Sequence, residues 1–239
     1  MDASPLILIP ARLGSTRLPG KPLADIAGLP MVGHVWMRAS TANLGQVVVA
    51  AAEPAIVEAV RGLGGAAVLT DPRLPSGTDR VRAAAEMLDP GGTRPVLNVQ
   101  GDMPTITTDI LHAVLARLAQ PGAEVVTAVA LRGGVEGPER VKAVVARDGR
   151  ALYFSRARVP FSADGRDAPL HLHVGVYGYA RAALNAFCAL PPSPLERREG
   201  LEQLRALEAG LRVDCVEVDS VPISVDTPED LTQARAAIG

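Results

Sequence analysis

The chain has 239 residues, of which 48% are hydrophobic and 21% charged, and its formal net charge is −2 at pH 7. This length and composition predict a globular protein with a sizeable core and exclude a disordered one. The near-neutral charge and the 3% aromatic content argue against a nucleic-acid partner. Cys188 and Cys215 lack metal-ligand spacing, and no basic segment with a long apolar run opens the chain. We therefore expect a cytoplasmic protein without a membrane partner.

The first feature along the chain is a short buried strand over 6–9 that breaks into a loop with two glycines and three cations, Arg12, Arg17 and Lys21. Small residues let backbone N–H groups approach phosphate oxygens, guanidinium groups grip those oxygens bidentately, and lysine adds a mobile point charge. Such a loop after a first strand predicts a polyphosphate site. A solvated basic turn is the alternative that three cations alone would favour.

Strands and helices alternate over the next hundred residues. The predicted strands cover 46–51, 66–69, 95–99 and 124–130, and the predicted helices cover 30–42, 54–61, 80–88 and 107–118. Ser76 to Asp79 read as the start of the third of these helices. This rhythm predicts an α/β fold with a doubly wound, mostly parallel sheet, in which ligands bind outside the carboxyl ends of the strands.

The rhythm changes in the middle of the chain, at about 131–180. Three strands follow one another without predicted helices, at 141–145, 151–155 and 174–179. We interpret this region as a smaller antiparallel lobe within a single domain over 1–239.

The last part of the chain returns to mixed elements. A helix is predicted over 195–209 and a strand over 212–218. Thr227 is the predicted N-cap of a final helix, with Pro228 at its first position and Asp230 near the position that completes a capping box.

Two carboxylates follow predicted strands. Asp102 comes directly after the strand at 95–99, and Asp226 precedes the final helix. Mg²⁺ prefers one or two protein carboxylates together with phosphate oxygens and water, so the pair predicts a magnesium site beside the polyphosphate loop. Taken alone, Asp226 is better explained as a capping residue, and the two roles are compatible if Thr227 caps the helix.

His173 and Tyr177 are four residues apart in a predicted strand, which puts both on one face with Gly175 between them. The glycine leaves space for a ligand. A packed core histidine is the alternative, and His171 on the same face leaves a weak metal-binding pair open.

Glu202 and Gln203 fall in the middle of the helix predicted over 195–209, where a solvated face is the simplest explanation for them. The sequence has no motif for a covalent nucleophile, no zinc-ligand spacing and no Walker lysine motif. Anion binding with a divalent cation suits direct in-line displacement at phosphorus, in which positioning and charge neutralisation do most of the catalysis.

Eight segments spread over nearly the whole chain resemble, in the same order, the 3-deoxy-manno-octulosonate (Kdo) cytidylyltransferase family, also called CMP-Kdo synthetases. They lie at 9–23, 76–80, 98–102, 151–156, 175–179, 193–196, 201–205 and 225–230. The combination of Leu-Pro-Gly-Lys-Pro with Leu-Glu-Gln-Leu-Arg is specific, because the wider cytidylyltransferase superfamily shares only a looser Pro-Ala-Arg…Lys pattern.

The resemblance implies a Rossmann-like nucleotidyltransferase fold with an antiparallel dimerisation lobe and a homodimer. It also implies cytidylyl transfer from CTP to Kdo, which gives CMP-Kdo and pyrophosphate for lipopolysaccharide synthesis. The implied CTP-binding residues are Ala11, Arg12, Arg17, Lys21, Ser76, Gly77, Thr78 and Gln100. The implied Kdo-binding residues are Lys21, Arg156, His173, Tyr177, Glu202 and Gln203. The implied Mg²⁺ ligands are Asp102 and Asp226, which with Arg12 and Lys21 form the catalytic set.

The sequence departs from the family pattern at two positions. Met103 stands where many members have glutamate, and Ser224 stands where glycine is usual. Two alternatives remain for the function: the same reaction on amino-Kdo or a sialic acid, and a catalytically inactive nucleotide-binding regulator. The retained cations and aspartates argue against the regulator, and Tyr177, Glu202 and Gln203 favour Kdo.

Overall fold

The computed structural model describes residues 4–15, 17–135 and 137–239. Thr16, part of the first segment that resembles the family, lies outside the described residues. The fold is mixed α/β with a mostly parallel central sheet, as predicted, and it also contains a separate two-stranded antiparallel sheet. The chain divides into two compact units, one formed by residues up to 112 with 222–239 and the other by 113–221.

The first unit is an alternation of strands and helices. Its strands are β1 Leu6–Ala11, β2 Asp25–Ile26, β3 Leu29–Pro30, β4 Gln46–Ala51, β5 Ala66–Leu69 and β6 Val96–Asn98. Its helices are a 3-10 turn at Lys21–Leu23, α1 Met31–Thr41, α2 Pro54–Gly62, α3 Gly77–Leu88 and, after the second unit, α8 Pro228–Ile238. Helix α4, Thr108–Leu118, spans the boundary between the units.

Strand β1 occupies the centre of the first unit's parallel sheet. It pairs with β4 on one side, where Leu6 to Ala11 align with Gln46 to Ala51, and with β6 on the other. Strand β5 extends the sheet beyond β4. Since the chain leaves β1 in one direction and later returns on its other side, the strand order reverses at β1. The loops after β1 and β6 therefore meet at a topological switch point, where α/β sheets bind ligands.

The second unit is built on a mixed sheet. Its elements are β7 Val125–Arg132, β8 Lys142–Val145, β9 Ala151–Ser155, β10 Leu170–Tyr179, α5 Arg181–Ala189, α6 Pro194–Glu199, α7 Leu204–Glu208 and β11 Val213–Glu217. Strand β7 pairs in parallel with β11 and antiparallel with β10, while β8 pairs antiparallel with both β10 and β9. The middle of the chain is therefore antiparallel, as predicted, and its role in dimerisation stays a prediction.

Strand β10 contains a β-bulge. Its pairing with β7 runs regularly from Leu170↔Arg132 to Val174↔Ala128 and resumes at Tyr177↔Thr127, so the register shifts between Val174 and Tyr177. A bulge leaves backbone groups of the longer strand without ladder partners and re-aims the side chains beside it.

The prediction of a single helix over 195–209 is wrong. Helix α6 ends at Glu199, Gly200 follows in the left-handed conformation with φ of 63°, and α7 begins only at Leu204. Glycine adopts this conformation without a steric penalty, so the chain turns there despite favourable helix formers on both sides. Helix α5 and the β2–β3 hairpin were not predicted either, and β10 begins four residues before its predicted start.

The final helix begins as predicted. The Thr227 hydroxyl accepts a hydrogen bond from the Asp230 amide at 3.2 Å, and the Asp230 carboxylate accepts one from the Thr227 amide at 2.8 Å. This reciprocal capping box satisfies two amides that the helix leaves unpaired. Leu231 of the helix then packs in a small core with Ile26 and Met31.

Across the part of the chain that the structure describes, none of the helices has both the length and the apolar character needed to span a bilayer.

Candidate active site

A cavity of about 250 Å³ lies at the switch point of the first unit. Three stretches of chain line it: the end of β1 with the loop that follows, the start of α3, and the loop after β6. Their lining residues are Pro10, Ala11, Arg12, Lys21, Pro22, Ser76, Gly77, Arg80, Gln100, Gly101 and Asp102. Seven of the eleven are predicted site residues, namely Ala11, Arg12, Lys21, Ser76, Gly77, Gln100 and Asp102. Thr78 is buried on α3 and is not part of the lining.

The ammonium group of Lys21 lies between the two predicted magnesium ligands. Its Nζ donates to Asp102 Oδ2 at 2.7 Å and to Asp226 Oδ1 at 3.1 Å. Arg17 adds a second cation, with Nη2 at 3.2 Å from Asp226 Oδ1. The structure therefore brings together residues that are up to 209 positions apart in sequence, Arg17 and Asp226 among them, around two carboxylates.

The backbone holds the two carboxylates in place. The amide of Val225 donates to the carbonyl of Asp102 at 2.9 Å, which ties the loop after β6 to the segment before α8. The Asp226 amide donates to the Asp230 carboxylate at 3.0 Å, so the capping box also fixes the residue that precedes it. Asp226 thus serves the helix through its amide and leaves its own carboxylate for Lys21 and Arg17.

The charge state of Lys21 follows from its surroundings. Burial lowers the pKa of the ammonium, whereas the nearby Asp102 carboxylate, and then Asp226, raise it, and the net result is a pKa above the ordinary value. The ammonium is therefore charged throughout the physiological range. Because this pKa is raised, the stabilisation from the pairing is complete at neutral pH and is lost only as the pH rises through that pKa.

Gly101 is required by the close approach of the loop after β6 to the end of strand β1. A Cβ atom at this position would lie 2.8 Å from the backbone carbonyl oxygen of Pro10, closer than side chains tolerate. The loop can therefore reach the end of β1 only with glycine here, and this approach brings Asp102 to the cavity.

The N-terminus of α3 forms one wall of the cavity. Ser76 caps the helix: its hydroxyl accepts from the Asp79 amide at 3.0 Å and donates to the Asp79 carboxylate at 2.8 Å. Helix α3 has 12 residues and therefore a partial positive charge at its N-terminus. Because Ser76 and Gly77 line the cavity together with Arg12 and Lys21, this charge lies beside the same space as the two cations. The wall therefore favours an anion.

Arg80 is a site residue to which the sequence analysis assigned no role. Its side chain is 2% exposed, lines the cavity, and uses Nη1 to reach Thr70 Oγ1 at 2.5 Å and the Asp71 carbonyl at 3.1 Å. Its Nη2 is buried and has no hydrogen-bond partner among the described residues. Burial lowers the pKa of this guanidinium. A buried donor without a partner beside a cavity signals a ligand contact, but that signal is visible only in three dimensions.

The donor set fits Mg²⁺. Asp102 and Asp226 already place one carboxylate oxygen each within 3.1 Å of a shared cation, and the described residues contain no cluster of three or more His, Cys, Asp or Glu side chains. Two carboxylates without further protein ligands suit an ion that also needs substrate phosphate oxygens and water. Met103, one of the two departures from the pattern of many family members, has a buried side chain, and Ser224, the other, is exposed.

The second unit carries the other predicted site residues. His173 and Tyr177 flank the β10 bulge, and their ring centroids are 5.4 Å apart, so the structure confirms that the two side chains meet. Burial lowers the pKa of His173 to about 4 and raises the pKa of the Tyr177 phenol well above its ordinary value. Both rings are therefore neutral at pH 7.

Arg156 is held by backbone carbonyls. Its Nε donates to the Glu199 carbonyl at 2.7 Å, its Nη2 to the Gly200 carbonyl at 3.3 Å, and its Nη1 to the Pro138 carbonyl at 3.0 Å. The Glu199 carboxylate in turn accepts from the Arg156 amide at 3.0 Å. Arg156 therefore fastens the turn that contains Gly200, a contact that no local sequence pattern indicates.

Glu202 and Gln203 lie in that same turn, between α6 and α7, and not in the middle of a helix. Gln203 is buried, and the Glu202 carboxylate is near enough to contribute to the raised pKa of Tyr177, after burial and Tyr179. The solvated-face alternative is thus wrong for Gln203. Both residues take their positions from the break at Gly200.

Comparison with known proteins identifies the family. The model of the cytidylyltransferase family matches residues 6–215. The 3-deoxy-manno-octulosonate cytidylyltransferase of Parvibaculum lavamentivorans is 54% identical, with 98% of this chain and 92% of that protein covered. The enzyme of the same name from Paramagnetospirillum magneticum is 52% identical, with 99% and 98% covered.

The chain belongs to the 3-deoxy-manno-octulosonate cytidylyltransferase family. It is accordingly a nucleotidyltransferase. A solved structure of CMP:2-keto-3-deoxy-manno-octonic acid synthetase complexed with CTP superimposes with a TM-score of 0.92, at 38% identity and with 98% of both chains covered. A cytidylyltransferase from Leptospira borgpetersenii, at 19% identity and a TM-score of 0.64, shares the fold.

Proposed function

We propose that this chain transfers the cytidylyl group of CTP to the anomeric hydroxyl of Kdo, giving CMP-Kdo and pyrophosphate. The family membership supports the reaction, and one observation supports the site: a lysine ammonium bound by two aspartates from separate loops at the sheet's switch point. Positive charge for the phosphates and the Asp102 carboxylate thus occur within one cavity, and Asp226 lies 3.1 Å from the Lys21 ammonium that lines it.

The triphosphate of CTP is bound in this proposal by Arg12, Arg17 and Lys21. Arginine provides paired N–H donors to phosphate oxygens, and lysine provides a charge that can shift as the phosphates change. The N-terminus of α3 adds backbone amides and a favourable dipole on the same side. The cytidine is proposed to lie against Ala11, the Ser76–Gly77–Thr78 turn and Gln100.

The chemical step is a single in-line displacement. An oxygen of the sugar's anomeric hydroxyl forms a bond to the α-phosphorus, the bond from that phosphorus to the β-bridging oxygen breaks, and the hydroxyl proton leaves to solvent. Arg12 and Lys21 orient the phosphates and oppose the charge that builds on pyrophosphate. We propose that Asp102 and Asp226 hold Mg²⁺, which when bound offsets phosphate charge and lowers the pKa of a coordinated hydroxyl.

The acidic sugar is bound in this proposal by Arg156, His173, Tyr177, Glu202 and Gln203, with Lys21 also serving the sugar. Within the second unit, the contact between His173 and Tyr177 and the turn at Gly200 support a polar site with aromatic walls. Neutral rings and amides recognise sugar hydroxyl groups by hydrogen bonds and stacking.

The decisive test of the metal site replaces Asp102 by asparagine. Asn keeps the shape but loses the charge, so Asp102→Asn is expected to lower kcat at least about hundredfold, whereas CTP affinity changes only a few-fold. Pyrophosphate release measures the first quantity and calorimetry the second. Binding of Mn²⁺, followed by electron paramagnetic resonance, should weaken in parallel.

The matched control is Asp109→Asn, which removes an exposed carboxylate on α4. It should leave kcat, CTP affinity and Mn²⁺ binding unchanged. Equal turnover of Asp102→Asn and the parent protein would contradict the metal assignment.

The identity of the sugar is tested by a panel. Kdo, amino-Kdo and a sialic acid are compared by kcat/KM at saturating CTP, with pyrophosphate release as the readout. Kdo is expected to be preferred, because a site built for a hydroxyl rejects an analogue that leaves its polar groups unpaired. A clear preference for amino-Kdo or sialic acid would overturn the assignment of the sugar.

We further propose a homodimer, a cytoplasmic location and a role in lipopolysaccharide synthesis. The antiparallel strands β8 to β10, the free cysteines Cys188 and Cys215, and the family resemblance support these proposals. Sedimentation velocity should give twice the chain mass of 24.9 kDa. A species of single-chain mass at micromolar concentration would contradict the dimer.

A further inference from the structure

Thr127 has a contact pattern that no role so far explains. It lies on β7, is 0% exposed, and pairs with Tyr177 across the sheet. Its hydroxyl oxygen is 2.9 Å from His173 Nε2, 2.9 Å from the Val176 carbonyl oxygen and 3.3 Å from the Val174 carbonyl oxygen. One hydroxyl thus contacts both carbonyls of the β10 bulge and the histidine beside it, and it also hydrogen-bonds with the Tyr177 phenol.

These contacts fix the direction of each hydrogen bond. A hydroxyl carries one proton, and carbonyl oxygens can only accept, so the Thr127 proton goes to the bulge carbonyls. The Thr127 oxygen then accepts, and the histidine atom that faces it must be an Nε2–H donor. A neutral imidazole has a single N–H, so Nδ1 of His173 is left with a lone pair.

The surroundings of His173 agree with a neutral ring. Phe154 contacts it edge-on with centroids 5.1 Å apart, and Tyr177 lies on another side at 5.4 Å. Burial lowers the pKa of His173 to about 4, so the ring carries no charge at pH 7. A neutral ring cannot pair electrostatically with the carboxylate of a sugar acid, but it can accept a hydrogen bond from a hydroxyl.

We propose that Thr127 is a positioning residue of the sugar site: its hydroxyl holds His173 in the tautomer that offers an unprotonated Nδ1 as an acceptor for a sugar hydroxyl. The same hydroxyl fastens the bulge that sets the spacing of His173 and Tyr177. This inference rests on the proposed binding of Kdo by His173.

The test compares two substitutions that differ in the hydroxyl. Thr127→Val keeps the branched shape and removes the hydroxyl, while Thr127→Ser keeps the hydroxyl. Loss of one hydrogen bond to substrate is expected to raise KM for Kdo about tenfold in Thr127→Val. Its KM for CTP should stay within about twofold, and Thr127→Ser should restore KM for Kdo to near the parent value.

The control Thr41→Val makes the same chemical change on the exposed end of α1, where the hydroxyl donates to the Arg38 carbonyl of its own helix. It should alter neither KM. Thermal unfolding and CTP binding of each variant show whether it is folded, and Thr127→Ser tests the proposal even if Thr127→Val does not fold.

A second readout does not depend on activity. Long-range ¹⁵N–¹H correlation spectra of histidine-labelled protein report which ring nitrogen carries the proton, and His173→Gln assigns the signal among the four histidines. The parent protein and Thr127→Ser should show the proton on Nε2, and Thr127→Val a mixture of tautomers. A proton on Nδ1 in the parent protein, or an unchanged KM for Kdo in folded Thr127→Val, would overturn the proposal. Failure of the parent protein to use Kdo would instead contradict the proposed function and leave the tautomer result intact.

Discussion

Lys21 is the residue on which the site of the first unit depends. Its side chain is 15% exposed and lies between carboxylates whose side chains are 24% and 41% exposed. Without the ammonium, Asp102 and Asp226 would face each other with only the exposed Arg17 to offset their charge. The lysine therefore stabilises the acidic pair whenever no metal ion is bound there.

Replacing Lys21 by methionine should destabilise the protein in the absence of metal. The loss is about 1–2 kcal/mol, less than for a fully buried pair because Asp226 is partly exposed. This corresponds to a fall in Tm of roughly 2–8 °C. Addition of Mg²⁺ should raise the Tm of Lys21→Met more than that of the parent protein, which differential scanning calorimetry can measure.

Arg73→Met serves as the comparison, because Arg73 forms an exposed ion pair with Asp71 and should cost little. A Tm of Lys21→Met that equals the parent value without Mg²⁺ would show that the ammonium does not stabilise the pair.

The functional residues that belong to local motifs could be predicted from the sequence, but most of the residues that they contact in the fold could not. The cations of the first loop, Asp102 and the Thr227 cap follow from local patterns that a single stretch of sequence contains. The contact of Lys21 with Asp226 joins positions 205 residues apart and has no local signal. Arg80 and Thr127 were missed for the same reason: their importance lies in buried atoms that only the fold brings together.

At the scale of elements, the turn between α6 and α7 decides where Glu202 and Gln203 lie. Gly200 occupies the left-handed region, and its own carbonyl accepts from Arg156. Arg205 on α7 then pairs with Glu196 on α6 through contacts of 2.9 and 2.6 Å, which holds the two short helices together. The break between α6 and α7 is thus a turn held by specific contacts and not a frayed helix end.

Gly200→Ala tests the turn. Alanine is strained by about 1 kcal/mol in this conformation, and the strain is relieved only if the turn moves. KM for Kdo should therefore rise several-fold, while KM for CTP stays the same. Steady-state kinetics with each substrate varied in turn gives both values.

Gly210→Ala is the matched variant, since Gly210 has φ of 79° with open space around it and follows α7 instead of preceding it. It should carry the same strain without the change in KM for Kdo. Equal effects of the two substitutions on that KM would mean that strain alone, and not the position of the turn, matters.

The elements differ in how clearly the sequence marks them. Strand β1 is an uninterrupted apolar run, and so is β4 after its first residue, Gln46. Helix α8 has both a capping box and a proline at its first position. Helix α5 begins after Ala180 without a side-chain cap, so nothing local announces it. The bulge in β10 breaks the period of two, which explains why that strand was predicted only in part.

At the scale of the whole molecule, several titratable side chains make the stability of the fold depend on pH. His173 is neutral in the fold with a pKa of about 4 and lies against Phe154, Tyr177 and the hydroxyl of Thr127. The unfolded chain protonates this histidine near pH 6.5, while the folded chain does not until about pH 4. Stability from this group is therefore complete above pH 6.5 and falls as the pH drops from 6.5 towards 4.

Carboxylates add a second phase at lower pH. Burial raises the pKa of Glu196 and of Glu199. Hydrogen bonds and nearby arginines together lower both pKa values by more than burial raises them, so the net shift is downward. Groups with a lowered pKa stabilise the fold above their ordinary pKa of about 4.5, and this stabilisation is lost as the pH falls through the folded value.

The expected result is a Tm that begins to fall below about pH 6.5 and falls more steeply below about pH 4.5. In His173→Gln, which retains an N–H donor for Thr127, the first phase should disappear while the second remains. Calorimetry between pH 3 and pH 8 in low-salt buffer measures both. A parent protein whose Tm is constant from pH 8 to pH 5 would show that His173 is not held neutral.

The two lysines of this chain have a further consequence. Lys21 is enclosed by carboxylates, and Lys142, 2% exposed, directs its ammonium at the carbonyls of Gly137, Arg140 and Arg156. All other cationic side chains are arginines, which acylating reagents ignore. Acylation would therefore mark opening of the acidic pair at one lysine and opening of the second unit at the other. The rate of acylation at each lysine therefore measures opening within its own compact unit. Mass spectrometry can follow both lysines in one sample.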